Sequence, residues 1–215
     1  MSRGKNGNKR PKVVKEDSVE KVPVPTRKIS LSSGKVYVFD DCFNQELIDD
    51  LGRVFLELDY EYRPSFDNEL SYGLSTQHLE CMSDLVPRLN EFIDQYNAEL
   101  VNRPKEQFLS HGYCAAIRFG DSTIMHQDID CEDCLTFIYY GNLYWNPRWG
   151  GETLFYDDTF DAMVSVSPKP GRLVLFNGSI WHRSGIPLKS CPSFRYVMSV
   201  FYRCAKKQLK PMLEK

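Results

Sequence analysis

The apolar residues of this chain keep one period up to about residue 106 and another beyond it. Leu47, Ile48, Leu51, Val54, Phe55 and Leu58 recur at three and four residues, the spacing that lines one face of an α-helix. Asp40, Asp41 and Asn44 stand just before them as candidate helix caps. Leu85, Leu89, Phe92, Ile93 and Tyr96, continued by Leu100, form a second stripe of the same kind. Both stripes are read as core-facing. Ahead of them, Lys35-Val36-Tyr37-Val38-Phe39 is short, β-branched and aromatic, which is the texture of a strand. Residues 60–73 hold Tyr, Pro, Asp and Asn without a period. They are expected to form a long loop, of a length that commonly serves as a lid or binding element.

From residue 107 the runs 113–119, 135–140, 152–156, 162–166, 172–176 and 196–201 are short, apolar or aromatic, and separated by turns of Gly, Pro, Asn and Asp. Helices first and closely spaced strands afterwards predict a mainly β fold with supporting α-helices, a jelly roll or sandwich buttressed on one side. Residues 1–33 are rich in Lys, Arg, Asn, Ser and Pro and lack an apolar period. A segment that cannot bury apolar surface cannot offset the entropy of ordering, so these residues are expected to be a disordered basic tail. That leaves residues 34–215 as one domain, with a helical support region at 34–106 and a strand-rich core at 107–204.

With 215 residues, 42% of them hydrophobic, the chain can bury one sizeable core. A formal net charge of -2 gives no global attraction to nucleic acid or to an anionic membrane, and neither is expected as a partner. The basic cluster Arg3, Lys5, Lys9, Arg10, Lys12 and Lys15 is read as solvated. No apolar run is long enough to span a bilayer, and the polar N-terminus lacks the apolar segment of a secretory signal. A soluble, cytoplasmic protein is therefore expected. Cys42, Cys81 and Cys114, three of the seven cysteines, sit in apolar or mixed patterns, as buried reduced thiols do.

Three residues then suggest a chemistry. His126-Gln127-Asp128 sets a histidine and a carboxylate two apart, and in an extended segment such residues share a face while Gln127 points elsewhere. His182 follows the strand-like run 172–176, which the Pro170-Gly171 turn opens, so a strand that folds back can bring it to the pair. Two histidines and one carboxylate can occupy one face of an octahedral metal and leave the other open, the facial triad of non-heme Fe(II) oxygenases. Arg195, in Ser193-Phe194-Arg195-Tyr196, adds a guanidinium, a planar bidentate match to the carboxylate of a co-substrate. Arg118 is the next candidate for that role.

Other residues receive plainer readings. Trp145, Trp149 and Trp181 are taken as packing residues, and Gly150-Gly151 as a turn requirement. Cys131 and Cys134 form a C-x-x-C with neither a second pair nor suitably spaced histidines to complete a zinc site. The acids Asp128, Asp130, Glu132 and Asp133 lack the Gly-centred loop of a Ca²⁺ site. His78 and His111 are given structural roles.

In order along the chain stand Arg118-Phe119-Gly120, His126-x-Asp128, Thr136-Phe137-Ile138-Tyr139-Tyr140-x-Asn142 with Trp145, and Trp149-Gly150-Gly151-Glu152-Thr153. Residues 168–176, His182 and Arg195-Tyr196-x-x-Ser199 complete the series. The series resembles the 2-oxoglutarate and Fe(II)-dependent dioxygenases, and within them the prolyl hydroxylase branch with its oxygen-sensing members. The resemblance spans about 113–202 and implies a double-stranded β-helix, the jelly-roll, cupin-like fold. It implies that His126, Asp128 and His182 are the catalytic metal ligands and that Arg195 pairs with the distal carboxylate of 2-oxoglutarate. It also puts the Tyr140 and Ser199 hydroxyls beside that carboxylate, although on placement alone both also suit ordinary buried polar partners. Thr123 departs from the pattern, standing where such enzymes often carry another tyrosine.

The implied small molecules are Fe(II), 2-oxoglutarate as co-substrate, dioxygen, and ascorbate as an iron reductant. The implied activity is hydroxylation of an unactivated carbon with release of succinate and CO2. A peptidyl side chain, prolyl included, and a small molecule both remain open as substrate, because function in such folds lives in grafted loops. The non-enzymatic alternative is a metal-bearing cupin-like binding module, in which Arg195 and Tyr140 would have no co-substrate to hold.

Overall fold

The computed structural model describes residues 23–65, 68–76, 85–101, 106–121, 123–128 and 133–204. In β2 (Gly34–Phe39), Val36 and Val38 belong to one buried cluster and Tyr37 and Phe39 to another. The strand is thus covered on both faces, which is why it reads as a continuous apolar run instead of an alternating one. The same holds for β6 (Leu135–Tyr140) and β9 (Leu173–Asn177), every residue of which is buried. With β1 (Arg27–Leu31), β3 (Glu61–Ser65), β4 (Asn68–Thr76), β5 (Gln107–Ile117) and β11 (Arg195–Cys204), they form an eight-stranded sheet in the order β1-β2-β9-β6-β11-β5-β4-β3.

Two helices cover one face of this sheet. α1 (Gln45–Glu57) begins at Asn44, whose side chain accepts from the Leu47 N–H at 2.9 Å, and it buries Ile48, Leu51 and Phe55. α2 (Val86–Leu100) buries Leu89, Phe92, Ile93, Tyr96 and Leu100. Both stripes meet Tyr37, Phe39, Phe137, Tyr139, Leu175 and Val200 in one core. Phe39 and Phe92 pack edge to face with centroids 4.9 Å apart. Asp40, a candidate cap by sequence, instead holds Arg172 with both oxygens, at 2.7 Å from Nε and 3.0 Å from a terminal nitrogen.

The other face packs on a three-stranded sheet of β7 (Thr153–Tyr156), β8 (Ala162–Val166) and β10 (His182–Ser184), in the order β10-β7-β8. Val36, Val38, Ile138, Val174 and Val197 from the large sheet meet Phe155 and Val166 from the small one. The architecture is the mainly β jelly roll that the strand texture predicts, with its helices on the outside. No helix among the described residues is long and apolar enough to cross a membrane.

Two sequence expectations change. Residues 60–73 are not a loop: β3 and β4 pair as antiparallel strands, and β4 pairs with β5 from Leu74↔Ala116 to Thr76↔Cys114. β3 at the sheet edge and β4 beside it are held by backbone pairing, which requires no apolar period along the strand. Residues 27–31, inside the expected tail, form β1 against β2. That strand is mostly exposed, and it is tied down by polar contacts: Lys28 to Glu99 at 3.0 Å, and the Thr26 hydroxyl to the Val38 carbonyl at 3.0 Å. Residues 1–22 of that stretch lie outside the described residues, as do His78, Cys81 and Cys131.

Candidate active site

Backbone pairing brings the two histidines together. His126 and His182 face one another in an isolated antiparallel bridge, each N–H donating to the other's carbonyl at 2.9 Å. Residues so opposed project to the same side, and their ring centroids are 4.6 Å apart. Asp128, two residues on, is pinned by its N–H to the Gly178 carbonyl at 3.0 Å. Its Oδ1 lies 3.4 Å from Nε2 of both histidines. The ligand atoms of the three residues all lie within 4.8 Å of one another, so a single ion fits between them.

The donor chemistry also fits. Nδ1 of His126 lies 3.0 Å from the Ile124 carbonyl and Nδ1 of His182 2.9 Å from the Ile180 carbonyl. A carbonyl oxygen only accepts, so each Nδ1 carries a proton and each Nε2 lone pair is left for a metal. Burial of Asp128 opposes its ionisation, but in the metal-free site His182 and His126, when protonated, outweigh that effect and hold the carboxyl far below its usual range. His182 is buried against Phe176, 4.8 Å away edge to face, whereas the His126 side chain is 36% exposed. The site therefore opens on the His126 side.

Arg195, the first residue of β11, is fully buried. Its Nε donates to the Gly151 carbonyl at 2.6 Å, and its terminal nitrogens to Ser184 Oγ at 3.3 Å and Thr153 Oγ1 at 2.8 Å. With Thr153 Oγ1 accepting from Arg195, its own proton points to the Tyr140 hydroxyl at 2.7 Å, which in turn donates to the Val166 carbonyl at 3.0 Å. The Tyr140 ring centroid is 5.2 Å from the guanidinium carbon. Burial lowers the pKa of Arg195, and Tyr140 is the foremost influence raising it again. Every hydrogen-bond partner named is neutral, and among the described residues no carboxylate lies within ion-pair distance. These bonds use three of the five guanidinium N–H groups, and the Tyr140 hydroxyl stands beside the group as a further partner. Gly151 makes this arrangement possible: its φ is +79°, and an added Cβ would stand 3.2 Å from Arg195 Cδ and 3.0 Å from Trp145 Cζ2.

Ser199 lies on the same inner face of β11, opposite Tyr113 on one side and Ile138 on the other. Arg118 does not join the cluster. It lies just past the end of β5 with its guanidinium 5.5 Å from the Phe194 ring, and the residue opposite Arg195 is Ile117. Alternation along the strand turns Arg118 away. The Thr123 hydroxyl donates to the Ser184 carbonyl and so ties the approach to His126 onto β10. Trp145 packs edge-on against Trp149 and donates to the Gly150 carbonyl at 3.1 Å, while Trp181 packs against Phe160. Cys134 is buried, and His111 stacks on Phe201 at 4.4 Å.

Sequence reasoning did not single out the Arg195 partners Thr153 and Ser184, nor Thr136, whose Oγ1 donates to Asp128 Oδ2 at 2.7 Å. Thr136 and Thr153 carried a usable signal, since each is the one threonine or serine of a largely apolar strand and a buried hydroxyl needs a partner. Ser184 carried none.

Residues 111–203 match the sequence model of the 2OG-Fe(II) oxygenase superfamily. No curated protein matches the chain by sequence. Among solved structures, the fold is similar to a prolyl hydroxylase from Trichoplax adhaerens in complex with a hypoxia inducible factor oxygen degradation domain peptide, with TM-score 0.58 and 17% identity over 78% of this chain and 82% of that one. It is similar to a Pseudomonas putida prolyl-4-hydroxylase, with TM-score 0.57 and 15% identity over 79% and 92%. It is also similar to HygX from Streptomyces hygroscopicus, solved with nickel, 2-oxoglutarate and hygromycin B, with TM-score 0.59 and 12% identity over 79% and 83%.

Proposed function

We propose that this chain is a 2-oxoglutarate-dependent oxygenase of the 2OG-Fe(II) oxygenase superfamily, whose sequence model matches residues 111–203, and that it hydroxylates an unactivated carbon of a peptidyl or small-molecule substrate. Prolyl side chains are included in the first class. In this reading His126, Asp128 and His182 bind Fe(II), Arg195 binds the distal carboxylate of 2-oxoglutarate, and succinate and CO2 are released. The carrying observation is a fully buried guanidinium with only neutral partners, in the same barrel as a buried carboxylate flanked by two histidines. The metal and co-substrate supply the oxidising chemistry when bound.

The chain's own residues bind, orient and exclude water. The Ile124 and Ile180 carbonyls set the tautomers of His126 and His182 so that both Nε2 atoms face inward. Gly151, Ser184 and Thr153 hold the guanidinium plane, and Tyr140 steadies Thr153. Ile138, Val174, Val197 and Phe155 wall the interior and keep its dielectric low, which strengthens the charge-assisted contacts. Substrate enters on the exposed His126 side. Both substrate classes are kept because the neighbours include a complex with a peptide and one with hygromycin B. Ascorbate as iron reductant and a cytoplasmic setting belong to the same reading. A non-catalytic metal-binding module is disfavoured, since it would leave the buried Arg195 without a function.

The test is succinate formation from 2-oxoglutarate in air with Fe(II), with and without candidate peptides and small molecules. His182→Ala should abolish turnover while the protein stays folded. Wild-type turnover in that variant would overturn the metal assignment. A protein that binds Fe(II) but neither binds nor consumes 2-oxoglutarate would favour the module.

A further inference from the structure

We infer that Thr136 is a positioning residue for the metal site: its hydroxyl occupies Asp128 Oδ2 and so presents Oδ1 alone to the ion. This rests on the proposal that His126, Asp128 and His182 bind iron. The two oxygens of Asp128 have different surroundings. Oδ1 lies 3.4 Å from Nε2 of both histidines, whereas Oδ2 accepts the Thr136 hydroxyl proton at 2.7 Å. A carboxylate can ligate through one oxygen or through both, and which it does changes how many positions remain open on the metal. A hydroxyl proton held on Oδ2 competes with metal coordination by that oxygen. Three protein donors then leave three positions, enough for a bidentate co-substrate and dioxygen.

The surrounding fold builds this contact. Thr136 is 1% exposed and lies between Phe201 of β11 and Phe176 of β9 in the sheet, so its hydroxyl has no access to water. Gly178 donates its N–H to the Cys134 carbonyl and accepts the Asp128 N–H, which fixes the Asp128 backbone beside Thr136. A Cβ on Gly178 would stand 3.1 Å from Thr136 Oγ1 and 3.7 Å from Asp128 Cβ, so a side chain there would crowd the hydroxyl. Each of the three candidate ligands thus has an orienting partner. For the histidines it is a backbone carbonyl, and for the carboxylate it is the Thr136 side chain, which substitution can remove.

Thr136→Val keeps the shape and deletes the proton, Thr136→Ala deletes the hydroxyl with less bulk, and Thr136→Ser keeps the hydroxyl. Co(II) affinity is measured by calorimetry under argon, together with the visible absorption of bound Co(II), which reports coordination number. Loss of an outer partner of a metal ligand weakens metal binding on the order of 10- to 100-fold. That loss is expected for Val and Ala, with an altered Co(II) spectrum and with Ser close to wild type in both. If Val does not fold, Ala against Ser decides. Wild-type Co(II) affinity and spectrum in the folded Val or Ala variant, or failure of Ser to restore them, would overturn the role of Thr136. Asp128→Ala separates the two claims. Loss of Co(II) binding there with no loss in the threonine variants sinks the inference alone, while unchanged binding in Asp128→Ala sinks the metal site with it.

Discussion

Replacing Arg195 with alanine should remove most of the stabilisation that 2-oxoglutarate confers on the metal-loaded protein. Gly151, Ser184 and Thr153 hold the guanidinium in place, and the proposed pairing with the co-substrate carboxylate is a fork of two charge-assisted bonds. At roughly 1.5 kcal/mol for each charge-assisted bond, the low end of the range, losing both costs about 3 kcal/mol. That corresponds to about a 100-fold rise in Kd. With Mn(II) in place of Fe(II), so that nothing turns over, co-substrate at 100 times the wild-type Kd stabilises the wild type by about 2.7 kcal/mol. For a domain of this size that is a rise in Tm of about 5–11 °C. The same concentration equals the Kd of the variant, where the gain falls to about 0.4 kcal/mol, or about 1–2 °C. Differential scanning fluorimetry with and without 2-oxoglutarate reads the difference directly. Because each protein is compared with itself, any change in the apo fold cancels. A wild-type shift in the folded variant would mean that the carboxylate binds elsewhere.

Asp40 and Arg172 supply a pH test. Burial raises the Asp40 carboxyl, but the Arg172 hydrogen bond and charge outweigh it, so its pKa is lowered on folding. The contribution is therefore complete above the unfolded value of about 3.9 and is lost as pH falls through the lower folded value. Asp40→Asn should destabilise by about 1–3 kcal/mol at neutral pH, a deficit that shrinks below pH of about 4 in urea titrations; a deficit independent of pH would refute the pairing. Gly141→Ala should destabilise by about 1–3 kcal/mol, because the new Cβ would meet Phe55 Cδ2 and Cε2 at 2.2 Å. Phe55→Leu in the same chain should recover part of that loss, and strictly additive effects would mean that the two residues do not collide.

The candidate metal ligands were legible because their chemistry is local. A histidine and a carboxylate two apart share a face whenever the segment is extended, and Asp128 does stand on the side of His126. The two helices were equally legible, since Ile48, Leu51 and Phe55, and Leu89, Phe92, Ile93 and Tyr96, follow a 3.6-residue period that burial on one face imposes. The edge strands β1 and β3, and β4 beside β3, were not, because they are held chiefly by backbone hydrogen bonds to neighbouring strands, which impose no long apolar period.

Motif order and strand texture carried the candidate groups for the chemistry and the mainly β class in which they sit. Only the tertiary structure decided what each group faces. The His126–His182 bridge, the neutral cage of Arg195 and the grip of Thr136 on one oxygen of Asp128 all join residues on different strands. A one-residue difference of position along a strand reverses which face a side chain takes, and on that ground Arg118 turned outward while Arg195 turned in. Such pairings depend on register between distant segments, which is set by the whole sheet and its packing and not by any short run of residues.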